Sequence, residues 1–131
     1  MKHVSILLVL GLLFMLLLSG CSPAPTEITV DLQEFMFTPS EITVPAGQEI
    51  SLTLVNNGAV EHEFVIMKFG KEVSVPFSDD DEDNIYWEHE VEPGATETVT
   101  FTAPSDPGEY QLVCGIAGHL EGGMQGVLTV K

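Results

Sequence analysis

The sequence predicts an all-β fold, an antiparallel sandwich or barrel, on three observations. Apolar and polar residues alternate in short runs, turn-forming residues punctuate those runs, and no window longer than a turn or two shows an apolar stripe at helical spacing beyond the first twenty positions. β-Branched Val, Ile and Thr fill most of the runs, as a half-buried pleated surface favours. In chain order the inward positions are Ile28/Val30/Leu32, Ile42/Val44, Ile50/Leu52/Leu54, Phe64/Ile66, Val99/Phe101, Tyr110/Leu112 and Leu128/Val130. Between them lie Pro39-Ser40, Pro45-Ala46-Gly47, Asn56-Asn57-Gly58, Pro93-Gly94, Pro104 to Gly108 and Gly122-Gly123, all of turn chemistry. Seven or eight short strands result. Lys68 to Glu88 is the least strand-like stretch and reads as a long exposed loop with a helical turn, because Asp79 to Asp83 is a run of five acids.

The first twenty residues do not belong to this pattern. Met1-Lys2-His3 supplies a short positive start, and Val4 to Leu18 is an apolar run of fifteen, too short to span a bilayer comfortably. Such a run reads as a secretory signal. Its end, Leu18-Ser19-Gly20-Cys21, resembles the lipobox of bacterial lipoproteins, where cleavage precedes a cysteine that is then acylated. The expected organisation is therefore a signal peptide over 1–20, a lipid anchor on Cys21 with a proline-bearing tether over 21–27, and one folded domain over 28–131. The 111 residues from Cys21 onward suit a single domain and leave no room for a second. An extracytoplasmic, lipid-anchored protein follows.

Charge narrows the function further. Twenty acids, all after position 20, stand against Lys68, Lys71 and Lys131, which gives 3 − 20 = −17 for the portion after the leader, with no arginine in the chain. Nucleic acid would repel such a surface, since its binding depends on Lys and Arg neutralising phosphates.

If Cys21 carries lipid, Cys114 has no disulfide partner, and a lone exported thiol is either buried and inert, a metal ligand or a nucleophile. Its surroundings favour the metal. Cys114, His119 and Met124 are spaced Cys-x4-His-x4-Met, and Gly115, Gly118, Gly122 and Gly123 let a short loop fold back until three side chains converge. Thiolate, imidazole and thioether together suit copper. Strand phase adds a donor: Cys114 shares the inward parity of Tyr110 and Leu112, and His62 shares that of Phe64 and Ile66, whereas Glu61 and Glu63 point outward. Two His and one Cys with a distant axial Met form the ligand set of a blue copper electron-transfer site. A catalytic thiol would need an adjacent base and an oxyanion site, which this pattern does not offer. His89 shares parity with Trp87 and Val91 and reads as a satisfied structural or surface histidine, while Met36 and Met67 read as core filler.

These residues resemble the cupredoxins, the small blue copper family of plastocyanin, azurin, auracyanin and rusticyanin, from about Ile28 to Lys131. The carriers are Glu34-Phe35-Met36-Phe37-Thr38-Pro39-Ser40-Glu41-Ile42-Thr43-Val44-Pro45-Ala46-Gly47, Glu61-His62-Glu63-Phe64-Val65-Ile66, and Pro107-Gly108-Glu109-Tyr110 leading to the Cys114 loop. The four-and-four spacing is similar to the rusticyanin and auracyanin branch. Glu63 departs from the Asn or Ser common after the first His, and Gly115 from the Ser or Thr common after the Cys. The resemblance implies a Greek-key β-sandwich holding one type 1 copper at His62, Cys114, His119 and Met124, and a monomer that is not an enzyme. It also implies single electrons passing through an exposed His119 flanked by Ile116 and Leu120 to redox partners. Given the charge, a basic cytochrome or a membrane oxidoreductase is the expected partner. The alternative function is a copper-binding lipoprotein that sequesters or delivers the ion; a metal-free interaction module is the third.

Overall fold

A computed structural model describes residues 24–131. The leader, Cys21 and the start of the tether lie outside the described residues, so the expected signal peptide and lipid anchor are not addressed by it. The described residues form nine strands: β1 Thr26–Gln33, β2 Met36–Thr38, β3 Glu41–Val44, β4 Glu49–Asn56, β5 His62–Met67, β6 Ile85–Val91, β7 Thr96–Thr102, β8 Gly108–Val113 and β9 Gln125–Val130. They make two sheets, ordered β2-β1-β4-β7 and β3-β9-β8-β5-β6.

The sandwich is as expected, but its strands are not all antiparallel. β1 runs parallel to β4, and β3 parallel to β9. Period-two alternation shows which side chains point inward and carries no information on a neighbour's direction. Here β2 folds back on β1 for only three pairs, and the chain then crosses to the other sheet, where β3 lies beside the final strand.

Two strands escape the sequence pattern. β2 buries a single residue, Phe37, against Phe64 edge-on, with ring centroids 5.4 Å apart. β6 is an edge strand with half-buried Ile85, Trp87 and His89 on its inward parity, so Ile85 to Glu88 belong to a sheet and not to the expected loop. The acid run is a turn of 3-10 helix, Asp79–Asn84, with the Ser78 N–H donating to the Asp81 carboxylate.

Between the sheets, Val30, Leu32, Ile50, Leu54, Ile66 and Leu112 are fully buried. Each such side chain contributes about 1.5–3 kcal/mol by leaving water. A second, smaller cluster lies on the other face of β5 and β8, where Val65, Met67 and Val113 pack with Val73 and Leu120. The segment after β5 folds over that face and is held there by the Val73 N–H donating to Gln111 Oε1 at 2.8 Å. β5 and β8 are therefore clamped on both faces, and they carry His62 and Cys114. Met67 is core filler as expected; Met36 is not, being 49% exposed on the short strand β2.

Candidate metal centre

Four elements meet at one pole of the sandwich. His62 opens β5, Cys114 follows the last residue of β8, His119 sits in the intervening loop, and Met124 immediately precedes β9. All four are buried, with His119 at 7% exposure and the other three at none. The loop closes on itself by main-chain bonds: the His119 N–H donates to Ile116 O, the Met124 N–H to His119 O, and the Cys114 N–H to Met124 O at 3.1 Å. Gly118 at φ +87° and Gly123 at φ +98° supply left-handed backbone that other residues adopt only at a cost. The glycine-rich spacing thus does what the sequence suggested.

Three donor atoms converge. His62 Nδ1 lies 3.2 Å from His119 Nδ1, which lies 3.3 Å from Cys114 Sγ. One donor atom from each of the three residues lies within 4.8 Å of the other two. Burial lowers the proton affinity of His62, aided by His119, and so favours the neutral imidazole that binds metals. Burial pushes the Cys114 thiol up, against the opposing pull of the Glu63 and Ile116 N–H groups, so a thiolate there calls for a nearby cation. The Glu63 N–H reaches Sγ at 3.4 Å. This main-chain contact joins the two ligand strands whatever side chain follows His62. A soft sulfur, two imidazoles and a buried thioether, shielded from water, fit copper.

Three features of the site were not read from the sequence. Asn56, 1% exposed, donates through Nδ2 to Val60 O at 2.9 Å and Val91 O at 2.8 Å, and its Oδ1 accepts the Gly58 N–H at 2.9 Å, which fixes the turn leading into His62. Phe35, at φ +66°, sets its ring against that of His119 in a T-shaped contact with centroids 5.7 Å apart. Its ring also lies against Gly122, where a side chain would collide with it. His119 is consequently less open than expected, and Leu120 turns into the second cluster and is buried, so it does not flank a surface port. Exposed apolar residues of the neighbouring segments are Phe35 and Val60 in loops and Met36 at the start of β2. Glu63 is only half turned to water, with its carboxylate against Gly115. His89 stacks on Trp87 and pairs with Glu97 at 2.8 Å, apart from the donor cluster, as a satisfied structural histidine does.

Fold and site together define a class: a small β-sandwich with a buried soft-donor metal centre at one pole. The chain matches the cupredoxin-like domain over residues 6–130 and belongs to that family. It is similar to auracyanin-A of Chloroflexus aurantiacus, 33% identical over 128 residues that span 86% of this chain and 78% of that protein. The solved structure of that relative, described as a "blue" copper protein, has a TM-score of 0.67 and covers 82% of this chain and 100% of its own. A dithionite-reduced auracyanin from Roseiflexus castenholzii gives a TM-score of 0.68 at 34% identity, over 83% of this chain and 99% of that one. A copper-resistant cuproprotein of Rubrivivax gelatinosus is 28% identical over 101 residues, 72% of this chain and 59% of that protein. The cofactor of the present chain is a single type 1 copper.

Proposed function

We propose that the protein is an extracytoplasmic single-electron carrier, with His62, Cys114 and His119 as the strong copper ligands and Met124 as a weak axial one. The observation that carries this reading is the convergence of two imidazole Nδ1 atoms and one thiol within 3.3 Å contacts in a buried pocket. Copper bound there supplies a one-electron store, cycling between Cu(I) and Cu(II). The chain's own part is to hold the donors still. β5 and β8 are packed on both faces, the ligand loop is closed by main-chain bonds, and Asn56 ties the preceding turn to β6, so the ligands have little freedom to shift between oxidation states. Phe35 keeps water off His119 while offering an apolar face for docking with Met36 and Val60. Four protein donors leave no open position for a substrate, which argues against an enzyme.

Cys21 as a lipid anchor, a basic redox partner and a monomeric state belong to the same proposal. The −17 charge would speed encounter with a basic partner, and the apolar face would set the docked geometry. Reversible, repeated oxidation and reduction with slow copper loss supports electron carriage. Changing Cys21 to Ser should release the protein from membranes or block its processing; unchanged retention with normal processing contradicts the anchor.

The cuproprotein relative favours a second reading, copper sequestration or delivery by the same ligands. Rapid transfer of copper to an acceptor apoprotein would support that reading over the first.

A further inference from the structure

With copper on His62 Nδ1, which faces the donor cluster, the proton of the neutral ring would rest on Nε2. That nitrogen is fully buried and makes no hydrogen bond within the described residues. A buried N–H without an acceptor costs about 1–3 kcal/mol, so its surroundings matter. A β-carbon built at Gly58 would stand 2.5 Å from His62 Nε2, 2.9 Å from Glu34 Oε1 and 3.1 Å from Asn56 Oδ1. Gly58 thus leaves a space into which one donor and two acceptors look. Asn56 is already committed: its oxygen accepts the Gly58 N–H, and its nitrogen donates to two carbonyls. Glu34 is less so: its Oε1 accepts the Ala59 N–H, the backbone N–H groups of Glu34 and Val60 help hold the carboxyl below the ordinary glutamate range, and the side chain stands at the surface. An ionised acceptor is also the stronger one.

We propose that Glu34 is a positioning residue for the copper ligand His62, its carboxylate accepting the Nε2–H across the space left by Gly58. The inference rests on His62 being a copper ligand. Such an outer carboxylate fixes the ring's tautomer and orientation and makes its other nitrogen a better donor, which favours Cu(II) over Cu(I). It ties the β1–β2 turn, which also carries Phe35, to the ligand at the start of β5.

The test uses copper-loaded parent, Glu34→Gln and Glu34→Ala. Glu34→Gln keeps an acceptor for the Ala59 N–H, so it separates the charged brace from loop integrity. Solvent exchange of the His62 Nε2 proton, followed by NMR in the reduced diamagnetic protein, should quicken in Glu34→Ala and to a smaller degree in Glu34→Gln. Cu(II) affinity should fall on the order of 10-fold in Glu34→Ala, with an upward shift of the potential in both variants. Unchanged Nε2–H exchange in both variants overturns the proposal, even if the potential rises, because a through-space charge effect would then suffice. A parent that shows no thiolate-to-copper band overturns the copper assignment itself, a different and earlier outcome.

Discussion

The ring of Phe35 meets His119 edge-on at a centroid distance of 5.7 Å, so the ligand nearest the surface is covered by a side chain from the opposite end of the domain's sequence. Phe35 holds a left-handed backbone at φ +66°, a conformation that costs a non-glycine residue about 1–2 kcal/mol. Its conformation and its contact with the metal pole coincide, which gives the cover a functional meaning.

Removal of that cover is the first prediction. Phe35→Ala should retain copper, because no donor is touched, yet expose His119 to small redox reagents. Electron exchange with a hydrophilic complex such as ferricyanide should rise severalfold. A rate equal to the parent's would mean that Phe35 does not limit access.

Asn56 should matter for stability more than its place at the end of a strand suggests. Asn56→Ala leaves the Gly58 N–H and the Val60 and Val91 carbonyls without partners, a loss on the order of 3 kcal/mol. Urea unfolding of the metal-free protein measures it. A loss below about 0.5 kcal/mol would show that the turn is held by other means.

Acidity should act through Glu63. Burial first, then Glu88 and Glu90, raises its carboxyl above the ordinary value of 4.5. The native state therefore holds the proton more tightly than the unfolded chain. Its contribution to stability is complete below pH 4.5 and is lost as pH rises through the raised native value. Relative to the parent, metal-free Glu63→Gln should gain stability on going from pH 4.5 to neutrality. Urea midpoints that differ by a constant amount across this range would contradict it. His62 titrates in the opposite sense, but it is common to both proteins and cancels.

How much of this was visible in the sequence depends on what each residue packs against. Ile28/Val30/Leu32 and Ile50/Leu52/Leu54 announced themselves because their strands bury one face only, and alternation survives. β5 reads as a run, with Phe64 through Met67 all buried, because the segment that follows it folds back over its second face. The same segment claims Leu120, which no local pattern could show. β6 was hidden because its inward residues are Trp87 and His89 and its outward ones include Tyr86, which blurs apolar and polar parity. The donor set was legible since strand phase and glycine spacing are local. Its supports, Phe35, Asn56 and Glu34, were not, because they reach the ligands across loops far apart in the chain.

The axial position gives a graded prediction. Met124→Leu conserves volume in a fully buried site and should cost less than about 1.5 kcal/mol. Copper should remain, and the potential should rise, since loss of a weak donor to copper favours the reduced ion. An unchanged potential would show that the Met124 sulfur does not act on the metal.

The central claim is that the Cys114 thiolate is a copper ligand, and the visible spectrum of the copper-loaded, oxidised domain tests it most directly. The parent should bind one copper per chain and show an intense thiolate-to-copper absorption, and Cys114→Ser should lose that band entirely. Full colour in Cys114→Ser, or a parent that takes up no stoichiometric copper, would contradict the account.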